Sequence, residues 1–470
     1  MKKYFRPKPI EEFTNKKEES LTRRFDATQL TFLGIGAIIG AGIFVLTGVA
    51  ASQHAGPAIT LSFLLSGFVC ICAGLCYAEF ASMIPISGSS YTYAYATLGE
   101  LPAWIIGCMA IMGYFLGSVS VSKGWSGYLV NFLDTIGINL PSKFTNSFGT
   151  IINSNGDKAI ISVPALIIPI ITSLILCKDV NTSSTVNTII VVIKMVVLAT
   201  FIIFGFFFID KNNWIPYIPQ NLGSYGEFGY SGIFAGASMV FLAYNGFDAV
   251  CTAAQETKNP QKNIPLGIIL SISISTITYI MVSAVLTGVV HYSELNVSYP
   301  IAIVIRKMNM PWFSYLSNIG AIAALTSVIM VSQYTIVRML FVMASDKLLP
   351  KCFLQIHKKY KTPHILTLAT GFATSIVGAF VSLEQIINLS SFAVLSSLTV
   401  ICIATICMRY KKPTIKRSFK CPGMPILPLF AVFISLQIIF TYPLMTFIQA
   451  FICIVLFVLY FFLYKLRNKH

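Results

Sequence analysis

The hydrophobic positions of the chain fall into twelve long apolar runs that short polar segments separate. About 20 consecutive apolar residues form a helix long enough to cross the hydrocarbon core of a bilayer, which is about 30 Å thick. The pattern therefore predicts twelve transmembrane helices, at residues 29–50, 57–83, 102–132, 160–177, 186–209, 230–253, 264–290, 311–341, 364–382, 386–408, 426–441 and 443–464.

The first ten predicted helices divide into two halves of five. An odd number of helices in each half places the halves in opposite orientations, as in transporters with inverted repeats. We therefore predict an all-α integral membrane protein with a 5+5 inverted repeat and two extra C-terminal helices. Its segments are a cytoplasmic tail at 1–28, a first repeat at 29–209, a second repeat at 210–408, a basic cytoplasmic loop at 409–425, helices eleven and twelve at 426–464, and a cytoplasmic tail at 465–470.

Composition and charge agree with a membrane protein. Of the 470 residues, 56% are hydrophobic and only 11% are charged. The net charge of +16 comes mainly from lysines and arginines on the side of the two termini. That distribution follows the positive-inside rule, so we expect both termini to be cytoplasmic in a multi-pass plasma-membrane protein, in a bacterium the inner membrane. The opposite side carries only Lys143, Lys158, Lys211, Arg306 and Lys307.

The charge therefore reports topology, and a nucleic-acid partner is not indicated. Residues 1–26 are polar and the first apolar run has full length, so no cleavable signal is expected. The eleven cysteines fall in helices or on the side of the termini, which predicts no disulfide framework. The sequence places no His/Glu pair or Ser/His/Asp set at membrane depth. We expect no enzyme activity, no cofactor and no metal site.

Two of the predicted helices contain features that interrupt a helix. Five glycines lie between Gly34 and Gly48 in the first helix, and each weakens a helix by up to about 1 kcal/mol relative to alanine. The sixth helix carries Tyr244, Asn245, Gly246 and polar Asp248 near midspan. Interrupted helices in corresponding places of two halves indicate a binding site at their interface. Alternatively, the glycines of helix one allow close helix packing.

An unwound segment exposes backbone N–H and C=O groups, which must then line a cavity. The N–H groups that begin the following half-helix favour an anion, and free carbonyls favour a cation. A zwitterionic amino acid suits both, with its carboxylate on the amides of residues 41–43 and its ammonium on carbonyls near Ile38 and in 241–244. The predicted substrate-binding residues are Ile38, Ile39, Ala41, Gly42, Ile43, Phe241, Ala243, Tyr244, Asn245 and Asp248.

Three of the polar residues have alternative interpretations. Asp248 holds the substrate ammonium or relays protons, or it caps the half-helix that follows the break. Asn245 either sets specificity or satisfies loosened backbone. Lys194 lies within an apolar helix without an acid, and a charge at bilayer depth indicates function unless its side chain snorkels to the interface.

The sequence resembles the amino acid–polyamine–organocation superfamily, nearest to its bacterial cationic-amino-acid-transporter-like branch. The residues that carry the resemblance are the glycine-rich stretch 34–48, then Pro85, Gly88, Tyr91, Tyr93, Gly99 and Glu100, then 124–128 on helix three, Tyr244, Gly246 and Asp248 on helix six, Thr257, Pro260 and Pro265, and finally Arg338, Phe341, Met343, Asp346 and Pro350.

The resemblance implies a LeuT-like transporter that alternates access around a site between helices one, three, six and eight. It also implies a proton-coupling role for Lys194, whose ammonium would contact helices one and eight where sodium-coupled relatives bind an ion. Two positions on helix three depart from the branch. Gly113 replaces a usual glutamate, and Lys123, interpreted as a snorkelling lysine, replaces a small apolar residue. A cationic substrate is therefore not favoured over a small neutral or polar amino acid.

The sequence predicts a secondary active transporter that imports L-amino acids by proton symport. An amino acid exchanger is the first alternative. A membrane sensor that binds amino acids without transporting them is the alternative of another class.

Overall fold

The computed structural model describes residues 2–9, 12, 23–40, 42–146, 148, 158–178, 180–297, 300–380 and 384–467. These residues form helices and no strand. The α-helices are α1 (Ala27–Ile38), α2 (Ile59–Met83), α3 (Ser89–Leu98), α4 (Glu100–Thr135), α5 (Val163–Leu176), α6 (Val180–Phe206), α7 (Gly229–Val240), α8 (Ala249–Thr252), α9 (Pro260–Val289), α10 (Pro300–Lys307), α11 (Pro311–Ser345), α12 (His364–Phe380), α13 (Glu384–Lys411), α14 (Ile426–Phe440) and α15 (Leu444–Arg467).

A separate helical stretch follows α1. It is π-helical at Gly42–Leu46 and Ala51–Ala55 and α-helical at Thr47–Ala50. Short 3-10 segments lie at Lys2–Phe5, Gly56–Ala58, Ser142–Phe144, Lys211–Trp214, Phe241–Tyr244, Ala254–Glu256, Tyr292–Leu295 and Lys351–Leu354.

The prediction of an all-helical membrane protein is confirmed. Within the described residues, 8 helical stretches are long and apolar enough to cross a membrane. The other apolar runs give the shorter helices α1, α5, α12 and α14. The longest of these, α12, has 17 residues. At 1.5 Å per residue it is shorter than a hydrocarbon core of about 30 Å. By length and composition the structure therefore supports 8 of the spans, and the count of twelve stays a prediction.

The helices of the two predicted halves interlock around α1. Helix α9 packs against α1 and α2, and α11 and α13 both pack against α4. Helix α15 lies at the periphery. In its most apolar stretch 17% of the residues are buried, compared with 72% in that of α11. The two ends of the described chain meet at one end of the bundle, where the rings of Tyr4 and Phe461 lie 5.6 Å apart. We call this the terminal end.

Candidate site at the breaks of helices one and six

The first helix is interrupted where the glycines predict it. Helix α1 ends at Ile38, and Ile39 turns to an extended conformation (φ −77°, ψ 103°) before the next helical stretch begins at Gly42. Gly42 allows this turn to lie against the sixth helix, because a Cβ there would stand 2.2 Å from the Cβ of Ala243. The two interrupted helices therefore touch at their breaks.

The sixth helix is interrupted in the same layer. Helix α7 ends at Val240, a 3-10 turn follows at Phe241–Tyr244, and Asn245 then leaves helical geometry with ψ 133°. Gly246 has φ +107°, a conformation that favours glycine. A Cβ on Gly246 would also lie 2.8 Å from the Cβ of Ala37. Glycine is thus required here by both the backbone angle and the close approach to helix one.

A cavity of about 390 Å³ opens beside the two breaks. Of the predicted substrate-binding residues, Ile38, Gly42, Ala243 and Asn245 line it. The described part of the lining contains hydroxyl, amide and apolar side chains, the amine of Lys123, and no carboxylate. The lining residues that the sequence did not suggest are Ala37, Gly40, Leu46, Tyr114, Gly117, Ser120, Val121, Lys123, Gly124, Gly127, Tyr128, Thr145, Asn146, Ser162, Leu242, Gly246, Val328, Ser332, Ile387, Ser390 and Ser391.

The remaining predicted residues do not line this cavity. Ile39 and Ile43 are fully buried in the core. Phe241 lines a different cavity between α2, α7 and α14. Tyr244 points into α2, where its hydroxyl donates to the carbonyl of Phe63 at 3.0 Å. Ala41 lies outside the described residues.

Two of the backbone carbonyls expected to hold an ammonium, those of Ile38 and Ala243, have a side-chain partner. The hydroxyl of Tyr279, on α9, lies 2.8 Å from the carbonyl oxygens of both Ile38 and Ala243. It therefore joins one break to the other. By contrast, the Oδ1 atom of Asn245 is buried and has no hydrogen-bond partner within the described structure.

Lys194 is fully buried, and its ammonium does not snorkel. Its Nζ donates to the carbonyl oxygens of Ile35 at 3.0 Å, Gly36 at 3.2 Å and Ile39 at 2.7 Å. It also lies 2.9 Å from Oγ of Ser327 on α11. An ammonium has three N–H donors, so these four oxygens provide more than enough acceptors for the charged form. Lys194 thus contacts the end of α1 and the eighth predicted helix together.

Asp248 makes different contacts from those expected. It occupies the N-cap position of α8, but its side chain makes no capping hydrogen bond, so the capping interpretation is wrong. The hydroxyl of Tyr114 donates to Oδ1, and Oγ of Ser89 donates to Oδ2 at 3.3 Å. Both are long-range contacts, and the carboxyl group lies behind Tyr114 rather than in the cavity lining.

The departures on helix three take part in the site. Oγ of Ser390 donates to the carbonyl of Gly113 at 2.7 Å, and a Cβ on Gly113 would lie 2.6 Å from Val394. Helix α13 therefore fills the space that a larger residue at 113 would need. Lys123 also lines the cavity, and the interpretation that its side chain snorkels to the interface stays a prediction.

The cavity reaches Thr145, Asn146 and Ser162 at the end of the bundle opposite the terminal end. The terminal end is closed by a buried ion pair between Glu256 and Arg338. The backbone N–H of Phe25 donates to the Glu256 carbonyl at 2.9 Å and ties the start of helix one to the same point.

The family model for amino acid permeases matches residues 25–467. The branched-chain amino acid permease BcaP of Bacillus subtilis is 38% identical over 468 residues, covering 99% of this chain and 98% of the relative. The methylthioribose transporter of the same organism is 38% identical over 470 residues, covering 100% of this chain and 99% of the relative. The cationic amino acid transporter 4 of Homo sapiens is 31% identical over 407 residues, covering 87% of this chain and 62% of the relative. The chain therefore belongs to the amino acid permease family, within the amino acid–polyamine–organocation superfamily that its motifs indicated.

Proposed function

We propose that the protein is a secondary active transporter that imports L-amino acids with uncharged side chains across the plasma membrane. The observation that carries this proposal is the cavity between the two breaks, in which Asn245 Oδ1 has no partner and the described lining holds no carboxylate. A cationic side chain would find no counter-charge there, whereas apolar and hydroxyl groups suit a branched or small polar side chain. The branched-chain permease BcaP, with 38% identity, supports the same substrate class.

The breaks set the orientation of the substrate. The helical stretch that begins at Gly42 presents its first N–H groups without intrahelical partners, and such groups attract a carboxylate. The ammonium donates to Asn245 Oδ1, which is buried and has no other partner within the described structure. The substrate side chain then extends toward Ser390 and Ser391 on α13.

Lys194 serves as the proton-coupling group in this proposal. Its charged form holds the end of α1 against Ser327 through four oxygens. Loss of the proton removes a donor and the charge, and both weaken the tie between α1 and α11. Movement of α1 is thereby linked to proton transfer.

Uptake into proteoliposomes tests the proposal when the pH gradient, sodium and internal substrate are varied separately. We expect that an inward proton gradient drives uptake of labelled L-isoleucine and that this uptake does not depend on sodium. Uptake that requires internal amino acid would establish an exchanger. Binding of L-isoleucine without any flux would establish a sensor.

A second candidate substrate is a methylthio sugar, because the methylthioribose transporter has the same 38% identity to this chain as the branched-chain permease. The hydroxyls of Ser120, Ser332, Ser390 and Ser391 in the cavity are compatible with sugar hydroxyls. 5-Methylthioribose lacks both the carboxylate and the ammonium. Uptake of labelled 5-methylthioribose that unlabelled 5-methylthioribose reduces and L-isoleucine does not would assign the cavity to the sugar.

A further inference from the structure

Asp248 lies just after the turn at which the sixth helix changes direction. Gly246, two residues earlier, has φ +107°, and α8 begins one residue after Asp248. Any rotation of α8 about Gly246 therefore moves the Asp248 carboxyl group. This group is only 6% exposed, so its hydrogen bonds are shielded from water.

Two elements outside helix six hold that carboxyl group. Tyr114, on α4, donates its hydroxyl to Oδ1. Ser89, the first residue of α3, donates to Oδ2 at 3.3 Å. Ser89 has φ +44°, so a serine maintains a left-handed conformation at this contact. Such strain persists where the surrounding contacts compensate for it.

Helix α3 is attached to the terminal end at further points. Oγ of Ser87, just before α3, accepts from the backbone N–H of Gln255 at 3.2 Å. Tyr91 donates its hydroxyl to Asp346, at the end of α11, at 3.0 Å. The α3 segment is thus tied to both ends of the segment from Asp248 to Gln255, as well as to α11.

Tyr114 also lines the substrate cavity, so the same side chain contacts both the cavity and Asp248. We propose that Tyr114, Asp248 and Ser89 form a latch that keeps α8 docked while the cavity is open to the opposite end. Substrate seated against Tyr114 loosens the latch and allows α8 to move. Asp248 is then a positioning residue rather than a substrate ligand. This inference rests on the proposed transport function.

Cys251 provides a native reporter of latch opening, since it lies on α8 and is fully buried. The experiment measures N-ethylmaleimide modification of Cys251 in proteoliposomes without substrate, with the modified peptide identified by mass spectrometry. Tyr114→Phe should raise the modification rate about tenfold, the factor expected when a buried carboxyl oxygen loses a hydrogen bond. Asp248→Asn keeps one oxygen that can accept from Tyr114, so it should raise the rate less. Ser89→Ala should give a smaller increase.

Tyr128→Phe is the matched control. Tyr128 also lines the cavity, but its hydroxyl donates to the carbonyl of Phe44, in the helical stretch beyond the break, at 3.1 Å. Its substitution should leave Cys251 modification at the wild-type rate. If Asp248→Asn fails to reach the membrane, Tyr114→Phe alone decides the question.

Unchanged Cys251 modification in Tyr114→Phe would overturn the latch. A raised KM for L-isoleucine in Asp248→Asn, with unchanged modification, would instead make Asp248 a substrate ligand and would also overturn it. Because the modification is measured without substrate, failure of the latch is distinguishable from an incorrect substrate assignment.

Discussion

Replacement of Lys194 by methionine tests the coupling proposal with little damage to the fold. Methionine fills much of the same volume but cannot donate a hydrogen bond. Two of the three backbone oxygens keep other partners. The Ile35 carbonyl still accepts from the N–H of Ile39 at 3.0 Å, and the Gly36 carbonyl still accepts from Ser327 at 3.0 Å.

The Ile39 carbonyl loses the hydrogen bond that Nζ donates to it at 2.7 Å. One buried polar group without a partner costs about 1–3 kcal/mol. Removal of a buried charge that no described carboxylate neutralises offsets part of this cost. We therefore expect Lys194→Met to fold and to reach the membrane, with a thermal midpoint only slightly below that of the wild type.

Transport should respond differently. Uptake of L-isoleucine driven by a pH gradient should be abolished, whereas exchange of internal for external L-isoleucine should persist, because Lys194 itself does not line the cavity. Lys211→Met, at an exposed lysine in the short 3-10 segment Lys211–Trp214, is the control and should transport like the wild type. Full pH-driven uptake by Lys194→Met would refute the coupling role.

Three further substitutions test other parts of the site. Asn245→Ala should raise KM for L-isoleucine about tenfold, the effect of losing one charge-assisted hydrogen bond, and unchanged KM in an uptake assay would contradict the proposed orientation. Tyr279→Phe should lower kcat more than it raises KM, because it removes the hydroxyl that joins the two breaks. Equal effects on kcat and KM would argue against this link. Glu79→Gln should increase proteolysis of the 412–425 loop, since buried Glu79 binds Arg409 at 2.6 Å and Arg417 at 3.0 Å, and a wild-type proteolysis pattern would exclude this anchoring role.

The positions of the two breaks could be predicted because glycine spacing is local information. Which residues face the cavity could not, since that depends on the helix type at the break. In a 3-10 turn, residues three apart lie on the same face. Leu242 and Asn245 therefore share the cavity side, whereas Phe241 and Tyr244 share the opposite side. The prediction included all but Leu242 of these four residues because it treated the break as uniformly open backbone.

The partners of the buried polar groups were also beyond sequence analysis. Tyr279 and Ser327 are an ordinary tyrosine and serine in apolar helices, and only the packing of α9 and α11 against α1 brings them to the break. Lys194 was conspicuous for the opposite reason, because an isolated charge in an apolar run is costly at any helix register. An isolated charge in an apolar run can therefore be recognised from sequence, whereas ordinary residues that long-range packing brings to a site cannot.

If Lys194 has the proposed coupling role, the contacts of consecutive residues link the proton to the substrate. The Ile39 carbonyl is bound to Lys194, and the adjacent Ile38 is bound to Tyr279 and lines the cavity. A shift of Ile39 when Lys194 changes its protonation must therefore displace one wall of the cavity. Coupling between two binding sites is reciprocal, so substrate that fixes Ile38 must alter the proton affinity of Lys194 by the same factor. Symport then requires no direct contact between substrate and Lys194, because the unwound segment of helix one contributes residues both to the substrate cavity and to the contacts of Lys194.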